Sequence, residues 1–173
     1  MTVSKRTAMI WWVGGLVAFA ITIYLGLPLA IETVPGGILD HQAAPDAATV
    51  NAIQTDWDNA GLIPTARMAM MSDLIFIGIF GTGCVLAGMH YRKREASILR
   101  FSGWIALLAG VIFIAADYGE TISQFVQLNR MAGDDQLAHV ASTLRSPKII
   151  AWIVAFASVL IALIADRFLS RAA

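Results

Sequence analysis

The stretch TAMIWWVGGLVAFAITIYLGLPLAI, residues 7–31, contains no charged side chain in 25 consecutive positions. An α-helix of this length, rising about 1.5 Å per residue, is long enough to cross a hydrocarbon layer of about 30 Å. Lys5 and Arg6 precede the stretch, as basic residues precede a signal peptide. The apolar part of a cleavable signal, however, spans only about 7 to 15 residues. The stretch therefore predicts a retained membrane-spanning helix.

Three more uncharged stretches follow, at residues 74–91, 101–116 and 149–165. The chain is 58% hydrophobic and 14% charged, whereas soluble domains average about 25% charged residues. This composition predicts an all-α polytopic membrane protein, a four-transmembrane-helix bundle that forms a single domain over residues 1–173. The expected spans cover residues 8–31, 70–91, 99–118 and 148–166.

Basic residues are concentrated at one set of helix ends. With the N-terminus inside, the cytoplasmic side holds eight Lys or Arg and two acidic residues, and the outer side holds four and ten. This bias predicts that both termini are cytoplasmic, in a bacterial inner (plasma) membrane. The basic loop suits anionic membrane lipids, and the extended basic surface of a nucleic-acid-binding protein is missing. The cytoplasmic basic residues are Lys5, Arg6, Arg92, Lys93, Arg94, Arg100, Arg167 and Arg171.

The first outer connection, residues 32–68, carries a helical pattern of its own. Val50, Ile53 and Trp57 recur at the spacing of one helix face. We expect an amphipathic helix over residues 45–60, beginning at a proline in the first helical position. Its polar face has few Lys or Arg side chains, so it is expected to dock on the other outer segments rather than on lipid.

The second outer connection, residues 119–147, is expected to complete an extracytoplasmic cap of short amphipathic helices. The apolar spacing of the third span continues to Met131 without a proline, which predicts that this helix extends beyond the bilayer. Asp134 is expected to cap a further helix, and Ser146 and Pro147 to open the fourth span.

Small residues four positions apart mark faces on which membrane helices pack closely. The first span contains Gly14, Ala18, Thr22 and Gly26 in such a series. We interpret this face as a packing surface inside one compact bundle, or alternatively as a contact surface for another subunit. The apolar face of the cap helix is a second candidate for partner contact.

Three acidic residues lie at the outer ends of the second and third spans. Asp73 enters the second span, whereas Asp117 and Glu120 leave the third and share a helix face. A short inner turn makes these spans neighbours, so the three carboxylates could converge at one depth, where they would suit a metal ion, a proton or a small cation. The alternative, which we favour, is a hydrated set paired with basic residues, namely Arg67, Arg130, Arg145 or Lys148.

Two histidines, His41 and His139, belong to the outer side. Together with the carboxylates they could supply a mixed set of ligands for zinc or another transition metal. No short ligand spacing supports this site, and the position of His139 opposite the apolar stripe favours a solvated side chain.

Catalytic signatures are missing from the chain. It contains no Walker loop, dinucleotide fingerprint or HExxH motif, no cofactor is indicated, and its one cysteine excludes an intrachain disulfide. We therefore expect a non-enzymatic accessory or assembly subunit that contacts a membrane-protein partner or a second copy of itself. The alternative is an outward-facing protein that binds or transports a metal ion, a proton or a small cation through the carboxylates.

Overall fold

The computed structural model describes residues 3–172, and the side chains of residues 3–170. Within this part the chain is all-helical, with no strand and one isolated bridge between Ile31 and Val34. Four helices are long and apolar enough to cross a membrane, as predicted, and they indicate an integral membrane protein. The helices are α1 (Lys5–Gly26), α2 (Ile38–Ala43), α3 (Ala47–Asn59), α4 (Ile63–Tyr91), α5 (Ser97–Arg130) and α6 (Asp135–Ala172), and a 3-10 turn covers Leu27–Leu29.

The four long helices pack in chain order, α1 against α4, α4 against α5, and α5 against α6. Aromatic contacts close the ring between α6 and α1, with Trp12 and Phe156 at 5.5 Å between centroids and Phe19 and Trp152 at 5.3 Å. Buried phenylalanines of α4 and α5 fill the centre. Because such contacts bury aromatic area on both sides, they hold together two helices that otherwise touch little.

The contact between α1 and α4 is a close backbone approach. A Cβ atom added at Gly15 would lie under 3.0 Å from the backbone of Phe80, and one added at Gly83 would lie under 3.0 Å from the backbone of Trp12. The predicted small-residue face turns toward the same helix: Thr22 accepts a hydrogen bond from Ser72 at 3.0 Å. Gly15, which the predicted series does not include, is the residue that permits the closest approach.

The two ends of the bundle differ. At one, Lys5 and Arg94 pair with Asp166 at 2.6 and 3.1 Å, which joins α1, the turn after α4 and the end of α6. We call this the Asp166 end. The side chain of Arg171, counted above among the basic residues, lies outside the described residues.

The opposite end, here the α3 end, carries the short helices α2 and α3. Val50, Ile53 and Trp57 are all buried against the rest of the chain, and Trp57 Nε1 donates to the carbonyl oxygen of Leu29 at 3.0 Å. The prediction that this helix docks its apolar face is confirmed. The face named as a candidate partner surface is therefore occupied by packing within the chain.

Several predicted boundaries are wrong. Helix α3 begins at Ala47 instead of Pro45, because Asp46 is the N-cap and its carboxylate accepts from Thr49 N at 2.8 Å. Asp134 caps α6 as predicted, accepting from Leu137 N at 3.0 Å. This helix then continues through Pro147, which was expected to open the fourth span. A proline inside a membrane helix is tolerated when neighbouring groups satisfy the freed backbone.

Helices α4, α5 and α6 exceed the expected spans, whereas α1 ends at Gly26 instead of residue 31 and a 3-10 turn follows it. Helix α5 has 34 residues and α6 has 38, or about 50 and 57 Å at 1.5 Å per residue. Both are longer than a hydrocarbon layer of about 30 Å. Their surplus length supports α2 and α3 and surrounds the polar site described next.

Candidate functional site

Asp117 and Glu120 meet around one amine, and Asp73 joins them through a threonine hydroxyl. Lys148 on α6 places its Nζ atom 3.0 Å from Asp117 Oδ1 and 2.9 Å from Glu120 Oε1. Thr121 donates to Asp73 Oδ2 at 2.9 Å and lies 3.5 Å from Asp117 Oδ1, which links the third carboxylate to the same group. We refer to these five residues as the carboxylate cluster.

Four of the five residues of the carboxylate cluster are buried, and Asp73 is half-buried. Glu120 is 0% exposed, Asp117 3% and Lys148 9%. Burying an unpaired charge costs several kcal/mol, so close ion pairs are required wherever carboxylates and an amine enter such a site. The alternative interpretation, hydrated carboxylates paired with basic residues, is therefore right about Lys148 as a partner and wrong about the hydration of the paired carboxylates.

The rows of side chains on α5 explain the convergence. Glu120 and Thr121 lie three and four residues after Asp117, and Gln124 lies four and three residues after these two, so all four side chains share one face. Gln124 Nε2 donates to Glu120 Oε1 at 3.3 Å. Sequence analysis missed Thr121 and Gln124, although their spacing from Asp117 was a readable signal.

A cavity of about 560 Å³ lies beside the carboxylate cluster at the α3 end. Aromatic and aliphatic side chains form most of its wall, and α2 covers it with Ile38, Leu39 and Gln42. The polar part of the wall consists of Asp73, Asp117, Gln124 and Lys148 together with Gln42 and Thr22. The aromatic part consists of Phe19, Phe76, Phe113 and Trp152.

Three exposed residues of the cavity lining lie at its α1 and α6 walls, namely Ile23 on α1, Leu27 in the 3-10 turn that follows it, and Ile149 on α6. All three are apolar. The opening is therefore framed by the kind of side chain that covers the outer faces of the four long helices.

Two acceptors in the cavity wall have capacity left. Asp73 accepts from Thr121 but forms no ion pair with any side chain in residues 3–170. Gln124 is 1% exposed, and its Oε1 atom has no hydrogen-bond partner among the described residues. A buried acceptor without a partner costs about 1 to 3 kcal/mol, which indicates that something else can occupy this position.

The histidines lie away from the carboxylate cluster. His41 on α2 is buried, 3.2 Å from Gln54 Nε2 and stacked on Trp57 at 5.3 Å between ring centroids. Its burial lowers its pKa from 6.5 to about 4, because desolvation penalises the imidazolium. His139 is exposed on α6, as its helical position predicted.

The predicted mixed metal set is thus divided over three places. In the described part of the chain, no group of three or more His, Cys, Asp or Glu side chains is arranged to hold a metal ion. Asp117 and Glu120 pair with Lys148, Asp73 is bonded to Thr121, and the two histidines join neither this group nor each other.

Comparisons of the chain with family models, with curated proteins and with solved structures found no significant match.

Proposed function

We propose that this integral membrane protein binds a small amphiphilic molecule in the cavity at the α3 end. The observation that carries the proposal is the composition of the cavity wall, which is apolar and aromatic except for six polar residues: Thr22, Gln42, Asp73, Asp117, Gln124 and Lys148. Ligand sites typically measure about 300 to 1,000 Å³ and combine an apolar lining with a few polar groups that fix orientation. A volume of about 560 Å³ falls within this range.

The surroundings of the opening suggest how a ligand enters. Exposed apolar residues of α1 and α6 border it, and side chains of this kind face lipid in a membrane protein. We propose that the ligand enters sideways from the bilayer, with its apolar part leading between the two helices. A water-soluble metal ion would instead need a polar entrance.

Charge asymmetry supports the orientation of the site. The basic residues at the Asp166 end favour a cytoplasmic position for that end and for both termini. The α3 end then forms an extracytoplasmic cap, in a bacterial inner membrane, and the cavity opens into the outer leaflet. This proposal keeps the hypothesis of an outward-facing binding protein, but its ligand is an organic amphiphile instead of a metal ion.

The role of accessory or assembly subunit stays a separate proposal. Its candidate contact residues support it weakly, because Val50, Ile53 and Trp57 are buried within the chain. Native mass spectrometry of the protein gently extracted from its own membrane would test it. A stoichiometric protein partner would support the accessory role, and a lone chain with a retained small molecule would contradict it.

Photolabelling tests the binding proposal. The probe is a ten-carbon alcohol carrying an aliphatic diazirine, added to the protein in phosphatidylcholine nanodiscs, with labelled residues identified by mass spectrometry. We expect saturable labelling of cavity residues, foremost Phe19, Phe113 and Trp152. Labelling that does not saturate and that falls only on outward-facing residues would contradict the proposal.

A blocking variant sharpens this test. A Cβ atom added at Gly26 meets only Ile38 Cγ2, at 4.0 Å, so Gly26→Leu fits the fold and extends into the cavity. Labelling of the cavity residues should fall several-fold. The control is Ala20→Leu, which adds apolar volume to the exposed face of the same helix and should leave cavity labelling unchanged.

A further inference from the structure

The polar wall of the cavity has a chemical preference, and this inference rests on the proposed function. We infer that the cavity selects amphiphiles that carry a protonated primary amine. The ammonium group contacts the Asp73 carboxylate and Gln124 Oε1, and the apolar part of the ligand lies against the aromatic wall.

The first argument is charge. The carboxylate cluster contains three carboxylates and one amine, and Lys148 directs its amine to Asp117 and Glu120. Asp73 lines the cavity with a hydroxyl donor, Thr121, as its polar partner and with no cation in residues 3–170. A ligand cation at Asp73 supplies the missing opposite charge, whereas a ligand anion would add a fourth negative group to a buried site.

The second argument is the direction of the hydrogen bonds. Gln124 uses its amide N–H to donate to Glu120, which fixes the orientation of the amide and leaves Oε1 as the free atom. Gln124 and Asp73 both line the cavity and offer acceptors to a ligand, whereas an unpartnered donor of the lining, Trp152 Nε1, belongs to its aromatic part. A primary ammonium has three N–H donors and no acceptor, and it can serve both atoms at once.

The third argument is the aromatic character of the rest of the cavity wall. Phe19, Phe76, Phe113 and Trp152 line the cavity near the acidic side chains. Aromatic faces attract cations and accept hydrocarbon equally well, which suits a ligand with an ammonium at one end and an alkyl or aryl body at the other. Alkylamines have pKa values near that of lysine, about 10.4, and therefore arrive protonated at neutral pH.

The test compares three ligands of equal length as competitors of the diazirine alcohol: n-decylamine, n-decanol and decanoate. The protein is held at pH 7 in phosphatidylcholine nanodiscs, which carry no net charge, and each concentration is corrected for partitioning into the lipid. We expect decylamine to compete about tenfold or more strongly than decanol, and decanoate to compete least. Decanol or decanoate competing as strongly as the amine would overturn the inference.

Two variants assign the preference to its residues. Asp73→Asn keeps the size of the side chain and an acceptor for Thr121 but removes the charge, so it should abolish the advantage of decylamine and preserve decanol binding. Gln124→Met removes the free acceptor and should reduce the advantage several-fold. An unchanged preference for decylamine in both variants overturns its assignment to Asp73 and Gln124. If either variant fails to fold, the comparison of the three ligands on the native protein still decides whether the cavity prefers an amine.

The experiment separates the two proposals and the two sources of the amine. If none of the three ligands competes, the proposed function fails. If decanol competes but decylamine has no advantage, only the inference fails. A primary ammonium also occurs in the phosphatidylethanolamine headgroup, so the experiment is repeated with a fifth of the lipid replaced by this species. Loss of cavity labelling by the diazirine alcohol supports the inference with a lipid as the ligand. Retained labelling together with competition by decylamine supports it with a free amine as the ligand.

Discussion

The Nζ atom of Lys148 lies 2.9 Å from Oε1 of Glu120, a side chain that is 0% exposed. The two residues belong to different helices, α6 and α5, and both lie well inside them. The pair therefore joins the two helices at the depth of the cavity. It also explains why two carboxylates can be buried side by side, since the same amine reaches Asp117.

Replacing Lys148 by methionine should destabilise the protein strongly. Methionine is apolar and of similar length, so the change removes the charge while filling the space, and it leaves two buried carboxylates without their cation. The expected loss is about 3 to 5 kcal/mol in the free energy of unfolding. Thermal unfolding in detergent, compared between variant and native protein, measures it.

Arg145→Met is the matched control. Arg145 lies one turn earlier on α6 and forms no ion pair within the described part of the chain, so its loss should change stability little. Adding Asp117→Asn and Glu120→Gln to Lys148→Met should restore most of the lost stability, because the two buried carboxylates that lost their cation are then neutral amides. A Lys148→Met protein as stable as the Arg145→Met protein would refute the importance of the pair.

The sequence was sufficient to predict the spans and part of the site. Uncharged stretches and a short turn between α4 and α5 predicted the meeting of Asp73 with Asp117 and Glu120, since helical spacing and neighbouring helices fix those positions. The cavity was not predictable, because it depends on how far α1 and α6 separate. Nor was α2, whose six residues are too few to show a period.

The sequence likewise did not determine which basic residue pairs with the carboxylates. Four basic residues were available on the same side, and Lys148 was selected by the rotation of α6 about its axis, which hydropathy does not determine. The unbroken course of α6 through Pro147 is a related case: proline predicts a helix start from local geometry, and tertiary packing decides whether the helix continues.

Gly15→Ala should destabilise the bundle, whereas Gly14→Ala should be nearly neutral. The two glycines are adjacent, but a Cβ at Gly15 would collide with the backbone of Phe80, and one at Gly14 would lie 3.7 Å from Ile79 Cγ2. Overpacking of this kind costs about 1 to 3 kcal/mol. Unfolding by SDS titration of both variants is the measurement, and equal stability of the two would contradict the assigned contact between α1 and α4.

Acid should weaken the α3 end through His41. The pKa of this buried imidazole is lowered from 6.5 to about 4, so the unfolded chain binds its proton more readily than the folded one. The stabilising contribution is complete above pH about 6.5, declines as the pH falls, and is lost below about 4, with a total of about 3 kcal/mol.

The measurement for His41 is the melting temperature as a function of pH. The carboxylates also titrate in acid, so the useful quantity is the difference between the native protein and His41→Gln, which keeps a polar side chain beside Gln54. The native protein should lose more stability than the variant between pH 6.5 and 4. Parallel curves would show that His41 makes no contribution to acid sensitivity.

Trp57→Phe should loosen the attachment of α3 to the bundle. The indole of Trp57 is 0% exposed, stacks on His41 and donates from Nε1 to the Leu29 carbonyl at 3.0 Å. Phenylalanine keeps the aromatic face but leaves that buried carbonyl without its donor, at a cost of about 1 to 3 kcal/mol. Trp11→Phe is the control, because Trp11 is 41% exposed on α1. Limited proteolysis of residues 31–62 should accelerate for Trp57→Phe and not for Trp11→Phe, and similar rates would mean that the hydrogen bond does not hold α3 in place.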